Sequence, residues 1–136
     1  VTVRRDYDHD LPRIEAYPGE LNQVWTNLID NALDAMGGEG TLTLRTRAGE
    51  GQVTVEIGDT GPGIPADVMP RLFQPYFTTK GVGEGTGLGL PLARKTVEQR
   101  HGGRITVRSE PGATVFRVTL PTVHRRPEPG TATEGA

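Results

Sequence analysis

Asn27 and Asn31 stand four residues apart in the stretch TNLIDNALDAM, inside a segment whose apolar residues recur at helical spacing. On a wheel of about 100° per residue, Gln23, Asn27, Asp30, Asn31 and Asp34 fall in one narrow polar arc. A solvated helix face is the plain reading of such an arc. Asn, however, costs about half a kcal/mol against Ala in a helix interior, and a simple surface is better served by Glu, Lys or Gln. Two amides at this spacing therefore point to oxygen ligands. They suit a hard cation such as Mg²⁺, which keeps water and binds through few protein atoms plus substrate phosphates.

Two further stretches carry chemistry of a matching kind. DTGPGI puts Asp59 at the end of an apolar strand and follows it with Gly61 and Gly63. A simple turn would use the same residues, and the Gly61 to Ala66 spacing also satisfies a loose dinucleotide-binding pattern. Pro62 and Pro65 would interrupt the helix start which that pattern requires, and no suitable acid lies about 20 residues on. A buried Asp needs a donor, and the exocyclic amine of a purine is a fitting one. GVGEGTGLGL then places five glycines between Gly81 and Gly89, immediately before a helical run. Gly-rich backbone at a helix start presents N–H groups to phosphate. No Lys-Ser or Lys-Thr follows the glycines, so the stretch is not a Walker A loop. Lys80 opens the stretch and offers a phosphate a point charge. A flexible linker is the alternative, but a mobile lid better suits a position between an aromatic cluster and a core helix. Phe73, Tyr76 and Phe77 read as core anchors at the hinge of that lid rather than as stacking groups.

The elements that must position these residues follow from periodicity. VTVRRDY alternates as a strand, and a Pro- and Gly-containing connector leads to a helix beginning after Pro18. Leu21, Val24, Leu28, Ala32 and Ala35 mark its apolar face, widened by Trp25, Ile29 and Leu33, and GGEG stops it. TLTLRTR and QVTVEIGD, separated by AGEG, predict a hairpin. A short helix near Ala66 to Leu72, a helix from Leu88 to Arg100, and the strands RITVRSE and ATVFRVTLP around Pro111-Gly112 complete the order. That order predicts an α/β two-layer sandwich: a mixed five-stranded sheet with about three helices on one face. Arg, Thr and Glu side chains are expected on the other face. Residues 122–136 read as a disordered tail.

Composition narrows the partners. The chain of 136 residues is long enough for one domain with a real core. With 15 basic and 17 acidic residues spread along it, no basic stripe suggests nucleic acid. Cysteine is absent, so disulfides and thiolate metal sites are excluded, and a reducing cytoplasm is compatible. No apolar run approaches the roughly 20 residues of a membrane span, and the first residues lack the apolar core of a signal peptide. Direct membrane contact by this domain is therefore not expected.

Taken together, these elements resemble the catalytic ATP-binding domain of the sensor histidine kinases, within the wider ATPase family that includes gyrase and the Hsp90 chaperones. NLIDNALDA resembles the N box, DTGPGI the first glycine box, RLFQPYF the F box and GTGLGL the second glycine box. The resemblance runs from about Val1 to Pro121. It implies a Bergerat-type sandwich holding Mg-ATP between the first long helix and a lid. Asn31 would coordinate Mg²⁺ with support from Asn27, and Asp59 would accept from the adenine amine. Gly61 and Gly63 would admit the base, with Ile64 packing near it and Thr114 helping to bind it through water. Gly85, Thr86, Gly87, Leu88 and Gly89 would meet the phosphates, whose charge Lys80 would balance. The second Asn is followed by Asp34 where many of these kinases have a basic residue. The F box ends in FTTK, as in nitrogen-regulatory and sporulation kinases, and Ala113 stands where a second Gly is common.

The resemblance further implies transfer of the γ-phosphate to a histidine. Pro12 comes too soon after His9 for a phosphoacceptor motif, His101 sits before two glycines with a capping role, and His124 lies in the tail. The acceptor is therefore expected on a separate dimerisation domain, with a response regulator downstream. Two alternatives stand beside this reading. A related ATP hydrolase or an anti-sigma-type serine kinase would need a Glu as general base where this chain has Asn27, which cannot take a proton. An ATP-gated interaction module would keep the same boxes without catalysis.

Overall fold

The computed structural model describes residues 1–75 and 89–122. Five strands form one mixed sheet: β1 (Thr2–Asp6), β2 (Thr41–Gly49), β3 (Gln52–Asp59), β4 (Arg104–Glu110) and β5 (Ala113–Pro121). Their spatial order is β1-β2-β3-β5-β4, with β1 parallel to β2 and every other neighbouring pair antiparallel. The helical elements are α1 (Pro18–Met36), a short 3₁₀ turn (Met69–Arg71), α2 (Gly89–Lys95) and a π-helical turn (Thr96–Arg100) that continues α2. This is the two-layer arrangement expected from the order of the elements.

Proline opens α1 because its fixed φ suits the first helical turn and its missing N–H would have had no intrahelical partner there. Leu21, Val24, Leu28, Ala32 and Met36 are its buried residues. Full burial of a Leu, Val or Met side chain contributes about 1.5–3 kcal/mol before entropy is counted, so this stripe fixes the helix on the sheet. Leu33 and Ala35, placed with the apolar face by periodicity, are exposed. The buried stripe is thus narrower than the pattern suggested, while Trp25 and Ile29 pack partly against the core.

Strand alternation supplies the other half of the core. Leu42, Ile57, Ile105, Phe116, Val118 and Leu120 are buried with the α1 stripe, Ala93 of α2 and Val97 of the π turn. Phe73 packs partly against this cluster, in agreement with an anchoring role, and the Arg94 guanidinium lies 5.2 Å from its ring centroid. Tyr76 and Phe77 lie outside the described residues.

The opposite face of the sheet carries the expected Arg, Thr and Glu. Asp6, Arg45, Glu56 and Arg117 occupy one continuous row across β1, β2, β3 and β5. Arg45 contacts Asp6 at 3.3 Å and Glu56 at 3.5 Å, and Arg117 meets Glu56 at 2.7 Å. Such solvated pairs add little stability, but alternating charge fixes register on a face with no helix over it.

Two boundaries differ from the sequence reading. The β2–β3 hairpin is tighter, because Gly49 pairs with Gln52 and only Glu50 and Gly51 form the turn. Thr122, assigned from its polar neighbours to the tail, is buried, and its N–H donates to the Gly51 carbonyl at 3.1 Å. The chain therefore stays packed beneath that hairpin one residue beyond β5. The rest of the expected tail lies outside the described residues.

Candidate functional site

The strand ends and the last turn of α1 converge on DTGPGI. Asp59 ends β3 on the helix-covered face, with Thr114 of β5 as its direct cross-strand partner. Both are buried, at 7% and 4% exposure. Asp59 Oδ1 accepts from the Gly61 N–H at 2.9 Å. Burial pushes its carboxyl above the usual carboxylate range, and the Gly61 N–H opposes that shift. Asp59 is thus a recessed acceptor with one internal donor, suited to a ligand that brings another.

The glycines allow backbone to come close where side chains cannot. A Cβ at position 61 would lie 3.0 Å from both the Ala35 carbonyl and Asp59 Oδ1. Gly63 has φ +93°, and a Cβ there would lie 2.7 Å from the Glu110 carbonyl. The loop is therefore clasped between the end of α1 and the β4–β5 turn. Gly112 N–H donates to the Gly61 carbonyl at 3.0 Å and closes the clasp.

Ile64 and Thr114, expected near a base, are joined through a residue that motif reasoning did not single out. The Ile64 N–H donates to Ser109 Oγ at 2.8 Å, and Ser109 Oγ lies 2.7 Å from Thr114 Oγ1. The signal for Ser109 was the register of the β4–β5 hairpin. A tight turn at Pro111-Gly112 pairs Glu110 with Ala113 and so sets Ser109 opposite Thr114.

The two amides of α1 differ. Asn27 Nδ2 donates to the Gly89 carbonyl at 3.1 Å, and its Oδ1 accepts from Gln23 Nε2 at 3.1 Å. A Cβ on Gly89 would lie 3.6 Å from the Asn27 amide, so the helices meet closely here. Asn31, one turn on, is half-buried. The polar arc therefore does not simply face solvent: one amide ties α1 to the start of α2, and the next lies one turn closer to the glycine clasp. Among the described residues no three His, Cys, Asp or Glu gather into a metal cage. The donor chemistry on α1 fits a cation held by few protein oxygens and by phosphates. Lys80, Gly85, Thr86, Gly87 and Leu88 lie outside the described residues.

His101, expected to cap, is buried. Its Nε2 accepts from the Tyr17 N–H at 3.0 Å, which leaves Nδ1 to donate to the Thr96 carbonyl at 2.9 Å. Tyr17 also meets the His101 ring edge-on at 5.5 Å and lies beneath the Arg100 guanidinium at 4.1 Å. Arg100 grips Glu20 with two bonds of 2.9 and 3.0 Å and holds that carboxyl below its usual range. This cluster fastens the start of α1 to the π turn.

Comparison with known proteins agrees with this geometry. Residues 16–124 match the family model of the histidine kinase-, DNA gyrase B- and HSP90-like ATPases. The chain is 43% identical over 132 residues to the sensory histidine kinase/phosphatase NtrB of Rhodobacter capsulatus, covering 88% of this chain and 36% of that protein. It is 41% identical to the sensor histidine kinase ZraS of Salmonella typhi, covering 93% of this chain and 27% of that one. It thus spans roughly a third or less of these relatives. In structure it resembles the catalytic domain of the histidine kinase ThkA, with a TM-score of 0.80 and 33% identity over 90% of this chain and 80% of that one. Full-length ShkA in complex with AMPPNP superposes with a TM-score of 0.77 at 29% identity, over 90% of this chain and 26% of that one. Among the described residues no helix is long and apolar enough to cross a membrane. The chain belongs to the histidine kinase-, DNA gyrase B- and HSP90-like ATPases, and within them to the catalytic domains of the sensor histidine kinases.

Proposed function

We propose that this chain binds Mg-ATP and presents its γ-phosphate to a histidine on a separate dimerisation domain, as the catalytic part of a two-component sensor kinase with a response regulator downstream. The observation that carries the reading is Asp59: a buried carboxylate at a strand end, paired across the ladder with Thr114 and followed by two glycines whose missing side chains keep the loop close to it. An exocyclic amine is the donor such a carboxylate selects over an oxo group. Ile64 then packs beside the base.

The phosphates extend from the base toward α1 and the residues before α2. Asn31 would hold Mg²⁺ through its amide oxygen, and Asn27 supports that position while its own amide is tied to Gly89. When bound, the cation neutralises phosphate charge and fixes the orientation of the phosphates. Lys80 adds a second positive charge, and the backbone of Gly85, Thr86, Gly87, Leu88 and Gly89 supplies N–H donors. Phosphoryl transfer needs mainly in-line positioning and charge neutralisation, and an imidazole nitrogen is nucleophilic without a base from this domain. That fits Asn27, an amide unable to accept a proton. The domain occupies residues 1–122, one more than the sequence suggested, and works in the cytoplasm, whether or not the full-length protein is attached to a membrane.

The test combines the purified chain, ATP and Mg²⁺ with a separate histidine-bearing dimerisation domain and follows phosphohistidine formation. Asp59→Asn and Asn31→Ala should each suppress both ATP binding and phosphorylation. Mg-ATP binding that survives both substitutions unchanged would refute the site assignment.

A further inference from the structure

Ser109 stands behind the base pocket and bridges Ile64 to Thr114. Its Oγ accepts from the Ile64 backbone N–H, an obligatory donor, at 2.8 Å. Thr114 Oγ1 lies 2.7 Å from the same oxygen, and either hydroxyl of this pair can donate to the other. When Ser109 is the donor of this pair, the Thr114 hydroxyl keeps its own proton to donate elsewhere. Thr114 is buried and opposite Asp59, so the free donor lies beside the recessed acceptor. In that arrangement the pocket offers an acceptor at Asp59 and a donor at Thr114.

This pattern complements one edge of adenine, an exocyclic amine next to an unprotonated ring nitrogen. Guanine presents the reverse, a carbonyl oxygen next to a ring N–H. A freely rotating Thr114 hydroxyl could adapt to either edge, because a hydroxyl is both donor and acceptor. We propose that Ser109, by donating to Thr114, fixes that hydroxyl as a donor to the base, directly or through one water, and so makes the pocket select adenine over guanine. Ser109 is a positioning residue here: it acts through Thr114 and does not itself touch the nucleotide. The proposal rests on the reading that Asp59 receives the base.

The experiment measures ATP and GTP affinity of the full chain by competition with a fluorescent nucleotide. Ser109→Ala should lower the ATP:GTP affinity ratio by about tenfold, the scale of one hydrogen bond, and Ser109→Thr should restore it. In a Thr114→Val background Ser109→Ala should have no further effect on the ratio, because the group it orients is gone. An unchanged ratio in Ser109→Ala overturns the proposal, even if overall affinity or melting temperature falls, and so does an equal effect of Ser109→Ala in the Thr114→Val background. Asp59→Asn, measured in parallel, separates the two levels. If it leaves ATP affinity intact, the base-pocket reading itself fails; if it abolishes ATP binding while the Ser109→Ala ratio stays unchanged, only the role of Ser109 fails.

Discussion

Asp59 and Thr114 are direct partners across the β3–β5 ladder, both buried and both on the helix-covered face of the sheet. The pairing puts a carboxylate whose protonation is eased by burial beside a hydroxyl, at the open end of the sheet's core. Its behaviour with pH follows. The native state holds the Asp59 proton more tightly than the unfolded chain does. Stability of the unliganded domain therefore falls as pH rises from the unfolded pKa through the raised folded one, and is flat above it. Nucleotide affinity runs the opposite way, rising as the carboxylate ionises. Titrations of ATP binding from acid to neutral pH should show this rise above the usual carboxylate range. Asp59→Asn should remove the slope and lower affinity at neutral pH by about 1.5–3 kcal/mol, the scale of a hydrogen bond to a charged group. A wild-type affinity independent of pH would contradict the assignment.

Gly63 and Gly112 both have positive φ but different surroundings. A Cβ at Gly63 meets the Glu110 carbonyl, whereas one at Gly112 meets nothing within 4 Å. Gly112→Ala should therefore cost only the backbone term, about 1–2 kcal/mol. Gly63→Ala should cost more than that in chemical denaturation, because the clasped loop must also shift, and it should weaken ATP binding where Gly112→Ala does not. Equal stability losses for the two variants would show that the close approach to Glu110 has no energetic weight.

The sheet, α1 and the position of Asp59 were legible in the sequence because alternation and helical spacing report directly on which face is buried. Glycine spacing likewise marked the DTGPGI stretch, although the reason for Gly63, its approach to Glu110, comes from the end of β4, 47 residues away in the chain. Ser109 and His101 were not legible as site supports. Their roles depend on long-range partners, Ile64 for one and Tyr17 for the other, and a lone Ser on a strand or His at a helix end carries no periodic signal. Asn27 was singled out as unusual, yet its bond to Gly89 spans 62 residues and no local pattern indicates it. The π turn from Thr96 to Arg100 was hidden for a similar reason: an extra residue in a helix alters hydrogen bonding without altering composition.

His101 holds two elements together through opposite ring nitrogens, one accepting from Tyr17 and the other donating to Thr96. His101→Ala leaves a backbone donor and a backbone acceptor without these partners and should cost about 1–3 kcal/mol. His101→Gln, whose amide also combines a donor and an acceptor, should recover part of that loss. Thermal or urea denaturation measures both. Because the cluster lies behind α1 rather than at the base pocket, the ATP:GTP affinity ratio should stay at the wild-type value in both variants, and a shift in that ratio would place His101 in the recognition network instead.

Asn27 and Asn31 are separated by one helical turn and should respond differently to the same substitution. Asn27→Ala removes the bond to the Gly89 carbonyl and so loosens the contact between α1 and α2. It should lower stability by about 1 kcal/mol and also weaken ATP binding, since the residues before α2 lose their anchor. Asn31→Ala breaks no hydrogen bond described in the fold. It should leave the melting temperature near the wild-type value and reduce ATP affinity by about tenfold only when Mg²⁺ is present. Paired titrations with and without Mg²⁺, alongside thermal melts, separate the outcomes. If Asn31→Ala weakens binding equally in both conditions, its amide contacts the nucleotide rather than the cation. If Asn27→Ala shows the metal-dependent loss instead, the two roles are exchanged along α1.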